Sequence, residues 1–236
     1  MIKKNILWLS EINPDYQNDN ALLRKLKNDN KVELRNIRHC FEPVMRQEEL
    51  KSAKESEGNI KTVSVEASLE SLFRESYYAD AVVMSKSLYK DHLYPLHIKD
   101  IHCPIVLFPE ETSKINHLLF VITSNPDSVI SIKQFCCLFE HICKKAKMTL
   151  LVYDDGDGIQ KPDEQILVNY LKKWNRNLGV YKDQNWNYEQ LVNYLEFDEK
   201  TMCVMNLSLI LNASKGSFPS EIFKNNETSL FIGFNY

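Results

Sequence analysis

Glycine is scarce in this chain, with six in 236 residues and none between Gly58 and Gly156. A loop that brings backbone close to a phosphate depends on residues without side chains. That long span therefore excludes a glycine-rich cradle. Cysteine is present without a metal pattern: Cys40, Cys103, Cys136, Cys137, Cys143 and Cys203 show no Cys-x-x-Cys spacing and no paired histidine pattern, so a zinc site has little support. Long apolar runs are missing as well. No stretch approaches the roughly 20 residues that cross a bilayer, and the apolar part of MIKKNILWLS is too short for a secretory signal. Lys and Arg are not clustered, the net charge is −3 and the pI is near 6.1. Nucleic acid is thereby excluded as the expected partner, since phosphate binding is driven by grouped cations. A cytoplasmic protein with neither membrane nor nucleic-acid association is expected.

What is present reads as a folded pair. The chain is 44% hydrophobic and 26% charged, and a prior of roughly 100–150 residues per domain allows two cores. Each half closes on a short apolar strand, Pro104–Phe108 (PIVLF) and Leu230–Phe234 (LFIGF). Each closure follows another apolar run, Ala81–Met84 (AVVM) and Met202–Met205 (MCVM), and a fresh strand, His117–Thr123, begins soon after the first closure. Repetition of one plan outranks other fold signals. The polar segment Pro109–Ile115 is the boundary, with domains expected over 1–110 and 114–236.

Periodicity places the elements. In the first half, strands are expected at Asn5–Leu9, Lys31–Ile37, Ile60–Val65, Ala81–Met84 and PIVLF. Helices are expected at Asp19–Leu26, Arg46–Gly58, Ser68–Tyr77 and near Leu93–Lys99. The second half predicts strands at 117–123, 148–153, 178–181, 201–206 and 229–234, with helices at 128–145, 163–174, 187–196 and 219–224. Strands alternating with helices imply parallel pairing through right-handed crossovers, hence a doubly wound five-stranded sheet in each half.

The residues HCPIVLFPEE, followed by INHLLFVITSNPDSVISIKQFCCLFEHICKKAKMTLLVYDD, resemble the junction of tandem universal stress proteins of the Bacteroidetes type. The likeness extends back through SLESLFRESYYADAVVMS and forward through Lys161–Glu164 to SFPSEIFKNNETSLFIGFN. It covers about Ser68–Tyr236, while the first 67 residues follow the family in element order. The resemblance implies two α/β domains of the adenine nucleotide alpha hydrolase-like kind, associated through their last strands as a pseudo-dimer.

Many members of that family bind ATP, with an Asp after the first strand. After the fourth strand they carry Gly, two residues, Gly, nine residues, then Gly with Ser or Thr. This chain departs from the pattern. Thr123-Ser124-Asn125 follows the first strand of the second half, with no Asp before Asp127, and Ser10-Glu11 takes the place in the first half. Counting from Asn206 puts the next glycine position on Leu209 and the final pair on Pro219-Ser220; counting back from Gly216-Ser217 puts the first two on Cys203 and Asn206. In the first half, SKSLYKD (85–91) fills the loop. The residues that would line a surviving cofactor pocket are Thr123, Ser124, Asn206, Gly216 and Ser217.

Other candidates have ordinary readings. Asp154–Gly158 (DDGDG) fails as a calcium loop because, counted from Asp155, Ile159 and Ile166 fall on ligand positions. His39, His92, His97, His102, His117 and His141 show no metal spacing and read as solvated or packed. Gly216-Ser217 reads either as a helix start capped by Ser217 or as an anion contact. The aromatics Trp174, Tyr181, Trp186, Tyr188 and Tyr194 suggest packing around a strand and helix, or a partner surface. No nucleophile, base and orienting group converge, so no enzyme and no cofactor are expected. The reading is a universal-stress-protein-like stress-response or regulatory module with a degenerate nucleotide site, acting on an unidentified protein partner and able to form a homodimer. The alternative retains ATP in the second domain, with slow hydrolysis or nucleotide-gated signalling. A third reading places another small ligand in the same crevice.

Overall fold

The structure, a computed structural model, describes residues 5–10, 31–36, 60–62, 69–89, 98–109, 115–153, 164–183, 200–212, 220–222 and 228–234. Two compact units divide the chain, Met1–Thr112 and Ser113–Tyr236. The first contains strands β1 (Asn5–Ser10), β2 (Lys31–Asn36), β3 (Ile60–Thr62), β4 (Ala81–Ser85) and β5 (Ile105–Phe108). Their order is β3-β2-β1-β4-β5, and the pairings are parallel. Helix α1 (Leu69–Ser76) precedes β4, the single turn α2 (Lys86–Leu88) follows it, and a 3-10 turn at Ile98–Asp100 leads toward β5.

The second unit repeats the plan with β6 (His117–Ile122), β7 (Lys147–Tyr153), β8 (Leu178–Asp183), β9 (Thr201–Asn206) and β10 (Ser229–Gly233). Their order is β8-β7-β6-β9-β10, again parallel. In both units the first strand lies between the second and the fourth. The chain therefore winds out to one side and then returns to the other, leaving a topological switch point beyond the first and fourth strands. The described helices of this unit include α3 (Asp127–Leu138), α4 (Glu140–Cys143), α5 (Glu164–Lys172) and α6 (Leu207–Leu211). The expected helices at 19–26, 46–58 and 187–196, and most of 219–224, lie outside the described residues.

Parallel strands covered on both faces read as unbroken apolar runs, and every residue of β6, β9 and β10 is buried. The core of this unit is aromatic. Phe135 of α3 meets Phe120 of β6, Phe231 of β10 and Phe139, with ring centroids 5.8, 5.2 and 5.1 Å apart. The buried face of α3 is Ser128, Ser131, Ile132, Phe135 and Cys136, the spacing of one helical stripe. The single helix expected over 128–145 is broken at Phe139, whose φ of −122° and ψ of 43° separate α3 from α4. That turn keeps the Phe139 ring in the core, 6.1 Å from Phe231 and edge-on to it. Burial of an aromatic side chain outweighs an uninterrupted helical ladder here.

Two contacts seat α3 on the sheet. Gly233 lies so close to the helix that a Cβ built on it would fall 2.2 Å from Ser131 Oγ and 2.6 Å from the Ser131 Cα. One turn further along α3, Gln134 pairs with Phe234 as a neighbouring strand would. Its Nε2 donates to the Phe234 carbonyl at 2.8 Å and its Oε1 accepts the Phe234 N–H at 3.2 Å. At the opposite end of the sheet, His117 is packed rather than solvated, 2.9 Å from Thr149 Oγ1 through Nε2 and 3.4 Å from Thr201 Oγ1 through Nδ1.

Gly233→Ala is expected to destabilise the protein by about 1–3 kcal/mol, since the added methyl must displace helix backbone as well as a side chain. Urea denaturation measures this, and an unchanged midpoint would show that α3 does not sit as close to β10 as described.

Candidate functional site

The switch point of the second unit lies between two turns. One leaves β6 as Thr123-Ser124-Asn125-Pro126 and enters α3. The other is the step from Asn206, the last residue of β9, straight into α6. Of the residues expected at a pocket, Thr123, Ser124 and Asn206 are placed here and all are buried. Gly216 and Ser217 lie outside the described residues. The structure adds two residues that sequence reasoning missed, Asn125 and Ser208.

Several backbone donors of the first turn are satisfied within it. The N–H of Thr123 donates to Ser128 Oγ at 3.2 Å, that of Asn125 to Thr123 Oγ1 at 3.1 Å, and that of Asp127 to Asn125 Oδ1 at 2.9 Å. The Ser128 N–H and hydroxyl both donate to the Asn125 carbonyl, at 3.1 and 2.7 Å, and the Val129 N–H donates to the Pro126 carbonyl at 3.0 Å. Proline has no N–H to offer. A helix start ordinarily presents unpaired N–H groups to an anion; at α3 these are spoken for by the chain's own oxygens.

The two turns are joined by side chains 83 positions apart in sequence. Asn125 Nδ2 donates to Ser208 Oγ at 2.9 Å, and the side-chain amide of Asn206 lies 2.6 Å from the same oxygen. Asn206 is 1% exposed. Where the family pattern would run through a glycine loop, the helical turn α6 follows β9 directly. Leu207–Leu211 carries neither glycine nor proline to interrupt it, Leu209 is buried, and Leu211 is 44% exposed.

The first unit has the same arrangement. Helix α2 begins immediately after β4, where a loop was expected, and Ser85 Oγ lies 2.9 Å from Ser87 Oγ. Both sites grow from one repeated string: Val83-Met84-Ser85-Lys86-Ser87-Leu88 and Val204-Met205-Asn206-Leu207-Ser208-Leu209. That repeat is the sequence signal that would have found Ser208. Lys86, in place of Leu207, is buried and engaged by the surrounding chain.

Among the described residues, the thiols of Cys103 and Cys136 carry no signature of a nucleophile. Burial, followed by the charge of Asp80, pushes Cys103 up to about 12 against a small opposing hydrogen bond from Val82. Cys136 is pushed up by its hydrogen bond with Cys143 and by burial. Burial likewise pushes Tyr170 to about 12, aided by the neighbouring Cys136. A reactive thiol is exposed and has its pKa lowered; Cys137 is exposed, whereas Cys103, Cys136, Cys143 and Cys203 are buried. Tyr170 and Trp174 stack edge to face at 6.3 Å, in keeping with a packing role for Trp174; Trp186, Tyr188 and Tyr194, like Asp154–Gly158, are outside the described residues. Among the described residues no group of three or more His, Cys, Asp or Glu is placed to hold a metal ion, and no helix is long and apolar enough to cross a membrane.

Three outcomes follow from the switch point and the thiols. Asn125→Ala and Ser208→Ala should each lower stability by about 0.5–1.5 kcal/mol, and by less than the sum when combined; additive losses in urea melts would mean the two turns are not coupled. With a thiol reagent at pH 8, Cys137 should react first, and Cys103 and Cys136 only as the chain unfolds. The folded Cys103 keeps its proton up to about 12 and the unfolded thiol loses it near 9.0. The folded state therefore holds the extra proton between those values. Its stabilising contribution is complete below about pH 9 and lost as pH rises toward 12; a midpoint constant from pH 8 to 11 would contradict this.

No family model and no curated protein matches the sequence. Solved structures do. A universal stress protein from Archaeoglobus fulgidus DSM 4304 aligns with a TM-score of 0.55 at 9% identity, over 98% of this chain and 96% of its own. A functionally unknown protein from Pseudomonas aeruginosa PAO1 aligns at 0.53 and 12% identity, over 98% and 92%. A provisionally named universal stress protein from Pseudomonas aeruginosa UCBPP-PA14 aligns at 0.51 and 11%, over 98% and 92%. At these identities the likeness is one of fold. The chain has the mixed α/β fold of universal stress proteins.

Proposed function

We propose that this chain is a non-enzymatic, universal-stress-protein-like regulatory module of the cytoplasm, whose nucleotide site has lost the capacity to hold phosphates and which acts through a protein partner. The observation that carries the reading is the internal satisfaction of the donors around Asn125. The N–H groups of Thr123, Asn125, Asp127 and Ser128 are all committed to oxygens of the same turn. A phosphate would have to displace those bonds to use these donors. Thr123–Ser128 and Asn206–Asn212 also contain no Lys, Arg or His, while Asp127 supplies a negative charge. The nucleotide that the fold family implies does not fit the described residues, and no reaction step is assigned through it.

The state of the described buried thiols supports the non-enzymatic part of the reading. The buried thiols Cys103 and Cys136 are pushed toward their protonated forms, and His117 lies at the far end of the sheet between two threonine hydroxyls. None of the three stands at the switch point, where chemistry on a bound ligand would take place.

Calorimetric titration of the purified protein with Mg-ATP, after denaturation and chromatography to detect any nucleotide carried through purification, tests this reading. No heat of binding and no carried nucleotide are expected. Saturable one-site binding at micromolar affinity would overturn it and restore ATP-gated function in the second unit.

A further inference from the structure

We infer that the consecutive tyrosines Tyr77 and Tyr78, with His102 behind the first of them, form a docking face for a protein segment that presents arginine side chains. The inference rests on the reading of a chain that acts through a protein partner, and it places that partner on the first unit. The face lies before the start of β4 and of β5, at the end of the parallel strands opposite their switch point.

Tyr77 is 63% exposed and Tyr78 is 82% exposed, although rings of this size are ordinarily drawn into a core or an interface. The platform is held in place before anything binds. The Tyr77 ring lies flat on the His102 imidazole, with centroids 3.7 Å apart and planes inclined by 15°. The His102 backbone N–H donates to Ser76 Oγ at 2.9 Å, and the Ser76 hydroxyl donates to the Phe73 carbonyl at 2.6 Å. Ser76 is fully buried, so the residues before β5 are tied to the last turn of α1. The Tyr78 N–H donates to the Glu75 carbonyl at 3.0 Å, which fixes the turn that carries the second ring. Rings fixed in advance lose little freedom when a partner arrives. Charge selects what they meet. Among the described side chains of 74–80 and 98–103, the carboxylates of Glu75, Asp80 and Asp100 stand against one cation, Arg74. The charge of Asp80 is felt at Cys103, next to His102. A guanidinium is planar, stacks on an aromatic face and is attracted by carboxylates, so arginine satisfies both features at once. Phosphate-bearing surfaces meet the same carboxylates and are repelled.

The test is a titration of the full chain, labelled with nitrogen-15, with three capped pentapeptides: Gly-Arg-Gly-Arg-Gly, its lysine counterpart and its glutamate counterpart. The arginine peptide is expected to shift the backbone amides of Tyr77, Tyr78 and His102 saturably and to leave those of β6 in place. The lysine peptide should bind more weakly and the glutamate peptide not at all. Tyr78→Ala removes a ring that is mostly in solvent and leaves the fold intact. It should weaken binding of the arginine peptide by about fivefold or more. Tyr77→Phe, which keeps the ring on His102, should retain the response. Equal binding of the arginine and lysine peptides would mean that charge acts without the rings, and would overturn the inference. So would shifts spread over both units, a response to the glutamate peptide, or unchanged affinity in Tyr78→Ala. The Mg-ATP titration bears on the nucleotide site alone, so the docking face and the loss of nucleotide binding fail separately.

Discussion

The close approach of α3 to the sheet governs the second unit. Phe135 inserts between Phe120, Phe139 and Phe231, and that approach is possible because Gly233 leaves room for Ser131 where a side chain would collide. Gln134 then fixes the helix along its length by bonding both polar groups of the Phe234 backbone. With the helix held in depth and register, its first turn is placed at the end of β6. Asn125 is thereby presented to Ser208. The polar site is a consequence of apolar packing several residues away.

The same packing explains why the turn at the crevice bonds to itself. A helix start held firmly against a sheet cannot shift to meet a ligand, and its exposed donors must be satisfied by nearby oxygens. Thr123, Asn125 and Ser128 supply them. An Asn before a proline is suited to the task, because its side chain accepts a backbone N–H two residues on while the proline itself needs no acceptor. In this fold, glycine or hydroxyl and amide side chains at the switch point are therefore opposite solutions. Glycine leaves backbone donors open to a ligand, and the side chains close them.

Much of the architecture was legible in the sequence. The buried strands read as short apolar runs because parallel strands are covered on both faces, and β4, β6, β9 and β10 fall where those runs predict. The helix break at Phe139 was not legible: the apolar spacing from Ser128 to Cys143 continues through it, and only the competition for a place beside Phe231 interrupts the ladder. The helical turns α2 and α6 were missed for a related reason. Three to five residues are too few for periodicity to register, and the signal the sequence does carry for them is the repeat Val-Met-x-x-Ser-Leu.

By itself the sequence determined the alternation of strands and helices, the repetition of one plan in two halves, and the absence of glycines where a phosphate cradle needs them. These are properties of local chain chemistry and composition. Tertiary structure alone decided that Asn125 and Ser208, 83 residues apart, share a hydrogen bond. Such pairings depend on which strand ends the crossovers bring side by side and on how deeply a helix can settle. Both are set by the packing of residues distant in the chain, and no spacing along the sequence encodes them.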